Sequence, residues 1–181
     1  MYSIRLHGLG GEGVVSLSNI IGKAAVSCGK WAHSFPLFGT AVRGAPVKAY
    51  TRVSSDPISI KSYIYNPDAI ILTNDLLLED SETLEGHKKD TILLINTRKD
   101  IETLKKLTNM EKIYPLDATS IAYEIIGKPF VNIILFGSFI AITDLLPFSS
   151  SYEIMKEIFP PKEAALNMDA IKEGYNYFKE R

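Results

Sequence analysis

Apolar positions along the chain change period several times, and each change marks an element. Residues 2–7 set Ile4 and Leu6 on one side of a short strand. Val14, Leu17, Ile21 and Ala24 then repeat at helical spacing, and Gly29 stands where a left-handed C-terminal cap is expected. Trp31 to Phe35 reads as another short strand. Over residues 47–54, Val47, Ala49, Thr51 and Val53 alternate with Lys48, Tyr50, Arg52 and Ser54. A period of two with one polar side predicts an antiparallel or edge strand. Asp56-Pro57 is a turn.

The second half reads differently. Ala69 to Leu72 and Thr91 to Ile95 are continuous apolar runs, as expected of strands covered on both sides, and each precedes a polar, partly helical stretch. Lys112 to Leu116 is a further strand. Asp117 is placed to cap the helix that ends near Gly127-Lys128-Pro129. Helices follow at about 131–145, 151–158 and 162–179, and in the last Met168, Ile171, Tyr175 and Phe178 share a side. Strands alternating with helices predict a Rossmann-like, three-layer α/β domain. Its sheet is mainly parallel, with an antiparallel or edge component near residues 47–54. No repeat, low-complexity segment or linker divides residues 1–181, so a single domain is expected.

Composition narrows the function classes. The net charge of −1 and the lack of any Lys/Arg block give no electrostatic reason to expect nucleic acid. The longest apolar run, Phe130 to Leu146, is interrupted by Asn132, Ser138 and Asp144, so it reads as a buried helix and no membrane span is expected. Polar residues appear by Ser3 and Arg5, which argues against a signal peptide, and a cytoplasmic location is expected. The single cysteine, Cys28, excludes an internal disulfide and any cysteine-ligated iron–sulfur cluster held by this chain alone. It is expected to be a small core residue. His7, His33 and His87 show no metal-ligand spacing.

Candidate chemistry concentrates in the first third. In His7-Gly8-Leu9-Gly10-Gly11-Glu12-Gly13-Val14-Val15 a glycine turn feeds a helix N-terminus, where free N–H groups suit an anion. Gly8, Gly10 and Gly13 fit the dinucleotide spacing, but no acidic residue lies between Glu12 and Asp56 to hold a ribose. Val14 and Val15 occupy the places of the P-loop Lys and Ser/Thr. Glu12 would oppose an anion unless it points away or is hydrogen-bonded; the simpler expectation is a carboxylate satisfying the helix dipole. Gly8, Gly10, Gly11 and Gly13 are therefore candidate cofactor-binding residues, together with Arg43 and Gly44 of the following loop. Arg43 offers five fixed donors matched to phosphate or carboxylate; the alternative is a solvated loop charge or a salt bridge to another subunit. Phe35, Leu37, Phe38 and Gly39 form an apolar stretch expected to meet a partner. Asn74, Asp75 and Asn96 are expected to be turn or cap residues near the same crevice. No nucleophile, triad or metal-ligand set is apparent, so no catalytic residue is assigned.

The glycine turn, Phe35-Pro36-Leu37-Phe38-Gly39, Arg43-Gly44-Ala45-Pro46-Val47, Asn66-Pro67-Asp68, Asp117-Ala118-Thr119, Asn132 to Gly137, Asn167 and Gly174-Tyr175 follow one another in an order that resembles the gamma subunit, or gamma domain, of the 2-oxoacid:ferredoxin oxidoreductases. That family includes pyruvate synthase. The resemblance implies a non-catalytic subunit of a complex with alpha, beta and delta-type subunits. Such complexes use thiamine diphosphate, Mg, iron–sulfur clusters and coenzyme A on or between other subunits, and pass electrons to ferredoxin. Two departures, Glu12 where the family usually carries Gln and Val42 where a second Arg is common, bear on direct anion binding. A free-standing nucleotide-binding protein and a pure assembly scaffold are the competing readings.

Overall fold

A computed structural model describes residues 1–37 and 44–180. Strand β1 (Tyr2–Leu9) leads through the glycine turn into helix α1 (Val14–Ser27), followed by β2 (Trp31–Leu37) and β3 (Pro46–Ser54). Then come β4 (Ala69–Leu72), β5 (Ile92–Asn96), α2 (Ile101–Thr108), β6 (Lys112–Leu116), α3 (Ala118–Ile126), α4 (Val131–Thr143), α5 (Ser150–Ile158) and α6 (Pro161–Lys179). One short 3-10 helix, Asp75–Glu79, follows β4.

The strands form one sheet in the order β2-β3-β1-β4-β5-β6. β1, β4, β5 and β6 run parallel, while β3 is antiparallel to both of its neighbours. The alternating strand is therefore antiparallel, as its pattern predicts, but it lies inside the sheet. Its polar side is also not solvated: Tyr50 and Arg52 are 5% and 4% exposed. Arg52 reaches burial by donating to the Tyr63 carbonyl at 3.2 Å, a partner eleven residues away. The continuous runs became β4 and β5, whose central residues are fully buried.

α4 is the central helix, with ten of its thirteen residues buried, and it packs against α6 and the sheet. Ile4, Leu6, Leu17, Ile21, Phe136, Phe139 and Ile171 belong to this main core. On the other side of the sheet, Leu104 and Met110 cover Ile70, Leu72, Leu93 and Ile95. Asp117 caps α3 by accepting from the Ser120 N–H at 2.9 Å, and Gly127 closes that helix with φ 74°. Cys28 departs from expectation: it is half-buried at the C-terminal end of α1, because the buried stripe of that helix ends at Ala25. Among the described residues no single helix is long and apolar enough to cross a membrane.

Candidate functional site

β1 runs two residues beyond its expected end, so Gly8 and Leu9 belong to the strand and pair with Val47 and Pro46. Gly8 is required for packing: a Cβ there would run into the Thr73 hydroxyl and the Val14 side chain. Gly13 is the N-cap residue of α1, with φ 77°, and a Cβ would approach the Asn132 amide to 2.7 Å. Both the left-handed backbone and the lack of space demand glycine there.

The Gly10 N–H donates to the Ala45 carbonyl at 2.9 Å, and the Gly44 N–H donates back to the Gly10 carbonyl at 3.3 Å. The structure thus brings Gly10 of the turn together with Gly44. The candidates Phe38, Gly39 and Arg43 lie outside the described residues. Phe35 and Leu37 are half-buried on β2, at one edge of the sheet. Phe35 stacks on Tyr50, with ring centroids 5.1 Å apart, and on Tyr63 at 6.3 Å.

Glu12 corrects the expectation of a dipole-satisfying carboxylate. Its Oε2 accepts from the Leu9 N–H at 2.7 Å and from the Thr73 hydroxyl at 2.6 Å, and its Oε1 accepts from the Asn74 amide at 2.8 Å. Leu9 ends β1, and Thr73 and Asn74 follow β4. The chain leaves these adjacent strands toward opposite sides of the sheet, which is where open α/β sheets place ligands. Here the protein's own carboxylate fills that crevice. A second anion set between β1 and β4 would meet its charge.

Space for a ligand opens on the other side of the turn. A cleft of about 470 Å³ lies where the N-termini of α1 and α4 converge, lined by Gly11, Glu12, Gly13, Ser16, Asn132 and Asn167 among others, so the Glu12 carboxylate borders this space too. Neither helix has a side-chain N-cap, so side chains leave their first N–H groups unclaimed. Asn167 is 6% exposed, and neither its carboxamide nor that of Asn132 has a hydrogen-bond partner among the described residues. Asn132 is half-buried, and both carboxamides border the cleft and are open to a polar group entering it. Sequence reasoning did not select these two as site residues. The available signal was a polar amide interrupting otherwise apolar helix faces.

Asn74 is a cap residue, as expected, at the N-terminus of the 3-10 helix; Asn96 instead ends β5 and ties it to the residue after β4. Asn74 accepts from the Leu76 N–H at 3.1 Å, and Asn96 donates to the Thr73 carbonyl at 2.9 Å. Asp75 pairs with Lys99. Hydrogen bonds from Lys99 and Thr97 hold its carboxyl below the usual range against the opposing effect of burial. His7 is 2% exposed, and burial, helped by Arg5 and Lys48, pushes its pKa down to about 3. It is a neutral imidazole at any ordinary pH. Among the described residues no group of three His, Cys, Asp or Glu side chains is placed to hold a metal.

The pattern of the pyruvate ferredoxin/flavodoxin oxidoreductase family matches residues 3–177. The chain is 38% identical over 177 residues to the pyruvate/ketoisovalerate oxidoreductases common subunit gamma of Pyrococcus furiosus, covering 97% of this chain and 96% of that one. The crystal structure of the pyruvate oxidoreductase subunit PORC of Thermotoga maritima superposes with a TM-score of 0.87 at 32% identity, over 97% and 95% of the two chains. A 2-oxoglutarate:ferredoxin oxidoreductase from Magnetococcus marinus, solved with 2-oxoglutarate, coenzyme A and succinyl-CoA bound, shares the fold. It has a TM-score of 0.80 at 18% identity, and the match spans 99% of this chain and 31% of that longer one. In sequence, in fold and nearly from end to end, the chain belongs to the pyruvate ferredoxin/flavodoxin oxidoreductase family.

Proposed function

We propose that this chain is the non-catalytic gamma subunit of a cytoplasmic, multi-subunit 2-oxoacid:ferredoxin oxidoreductase. The complex carries out coenzyme A-dependent oxidative decarboxylation of a 2-oxoacid such as pyruvate. The observation that carries this reading is the near end-to-end match to a gamma subunit at 38% identity. The expected neighbours are alpha, beta and delta-type subunits, with ferredoxin reached through the complex.

Thiamine diphosphate, Mg and iron–sulfur clusters on those subunits supply decarboxylation and electron transfer. One cysteine and no clustered ligands give this chain no means to hold a cluster among its described residues. Its own residues serve coenzyme A. The glycine turn with Gly44 and Arg43 takes a phosphate, and the cleft bearing Asn132 and Asn167 takes an adjoining polar group. The converging helix N-termini favour the negative charge. Phe35, Leu37, Phe38 and Gly39 meet a neighbouring subunit.

The test is co-expression of the complex with Arg43→Ala in this chain. Intact assembly with a raised KM for coenzyme A supports phosphate binding by Arg43. Lost assembly assigns Arg43 to a protein carboxylate, and normal assembly with normal turnover removes it from the site. Calorimetry separates the rival readings: low-micromolar NAD binding by the isolated chain favours a free-standing nucleotide-binding protein. No change in coenzyme A use by any turn or cleft variant favours a pure scaffold.

A further inference from the structure

The two sides of the sheet are covered unequally. α1 packs on β1, β2 and β3 from one side. Among the described residues no helix packs extensively on the opposite side of these three strands. An extended stretch between β3 and β4 lies there instead, fastened by Arg5 to the Ile64 carbonyl at 3.4 Å and by Arg52 to the Tyr63 carbonyl at 3.2 Å. A sheet of this class is ordinarily covered by helices on both sides.

The three strands contain Arg5, Lys48 and Arg52 and not one Asp or Glu. Lys48 pairs with Glu82 at 2.7 Å at the margin, and Glu85 lies near Arg5 but meets it through its main-chain carbonyl, at 2.6 Å. Among the described residues Arg5 Nε and Arg52 Nη1 have no hydrogen-bond partner, nor do His7 Nε2 and His33 Nδ1. The carboxylates of Glu82 and Glu85 offset Lys48 and Arg5 at one end of this face, whereas around His33 the acting charges are Arg52 and Lys61, so the corner beside Trp31 is cationic. The outer side chains are aromatic: Trp31 is 53% and Tyr63 45% exposed, and Tyr63 closes a stack with Phe35 and Tyr50. Lys61 beside them is exposed and has no ion-pair partner among the described residues.

We infer that this face, centred on Trp31, Tyr63 and Lys61, docks a neighbouring subunit of the complex that presents carboxylates around an apolar centre. The inference rests on the gamma-subunit reading and adds to it the face and the charge of the partner. β2 carries Phe35 and Leu37, which are proposed to meet a subunit, so the two surfaces are continuous. A second copy of this chain is a poor occupant, because a two-fold contact would set cations against cations.

The test uses the co-expressed complex with Trp31→Ser, Tyr63→Ser, Lys61→Glu or Lys61→Arg in this chain, read by native mass spectrometry and by dissociation against rising salt. Trp31→Ser and Lys61→Glu should weaken association at least about tenfold, as central interface residues do, and Lys61→Arg should not. Added salt should weaken the wild-type complex. Lys156→Glu on α5 is the control and should assemble normally. If Trp31→Ser or Tyr63→Ser fails to fold, the exposed Lys61→Glu decides. Normal association of Trp31→Ser and Lys61→Glu overturns this surface and leaves the gamma-subunit reading standing. No association of the wild-type chain with the other subunits removes both. Self-association of the isolated chain, abolished by Trp31→Ser, overturns the choice of occupant.

Discussion

Gly137 on α4 and Gly174 on α6 stand on the two sides of one helix crossing. A Cβ on Gly137 would strike the Ile171 carbonyl oxygen, and a Cβ on Gly174 would strike the Ile134 carbonyl oxygen. The Ser138 hydroxyl, beside Gly137, donates to the Gly174 carbonyl at 2.9 Å. Since α4 is the helix on which the main core is assembled, the separation of this pair sets the spacing of that core. Gly137→Ala and Gly174→Ala should each destabilise the protein by about 1–3 kcal/mol through overpacking. The double variant should cost less than the sum, since one separation of the helices relieves both clashes. Urea unfolding of the three variants checks this, and additive losses would show that the crossing does not move as a unit.

Glu12→Ala leaves the Leu9 N–H, the Thr73 hydroxyl and the Asn74 amide without their shared acceptor. A part-buried donor left unpaired costs about 1–3 kcal/mol, so Glu12→Ala should lower Tm clearly. Glu12→Gln keeps one oxygen for Leu9, and Thr73 retains the His7 carbonyl at 3.4 Å as an alternative acceptor. The Gln variant should therefore fall between wild type and Ala. Equal stability of all three would mean that the carboxylate does not fasten β1 to β4.

His7 gives the stability a pH dependence of defined sign. Burial lowers its folded pKa to about 3 from the ordinary 6.5. The unfolded chain therefore takes up this proton first as pH falls. The contribution of His7 is intact above about pH 6.5 and declines toward pH 3, with a slope approaching about 1.4 kcal/mol per pH unit. Asp75 and Asp117, held below the usual carboxylate range, add losses only at the acidic end of that window. Denaturant titrations between pH 7 and pH 4.5 should show the decline, and His7→Gln should flatten it. An imidazole seen by NMR to protonate near pH 6 in the folded protein would refute the assignment.

Asn167→Leu should separate stability from function. The substitution removes a carboxamide that has no hydrogen-bond partner among the described residues and keeps a similar volume, so Tm should hold or rise in the isolated chain. The same variant in the complex should raise the KM for coenzyme A. A large fall in Tm would show that Asn167 is structural.

Much of the fold was legible because its signals are local. The periods of two and of 3.6, the glycine after α1 and Asp117 before α3 each act over a few residues. The unread parts depend on partners far along the chain. Glu12 reads as a helix-terminal carboxylate until Thr73 and Asn74, 61 and 62 residues away, are placed beside it. Tyr50 and Arg52 look solvated until the stretch through Tyr63 closes over them. The glycine turn and Gly44 were found from composition, but their contact depends on β3 returning antiparallel beside β1. Asn132 and Asn167 become a pair only when α4 and α6 flank one cleft.

Arg5 and Arg52 grip main-chain oxygens of residues 63, 64, 83 and 85, so their hold on the outer layer does not depend on which side chains that layer carries. Substitutions at Tyr63, Tyr65 or Lys61 would change what the layer presents without loosening the two fasteners. A subunit built this way can acquire a different neighbour by altering a few outward residues while its interior stays as it is.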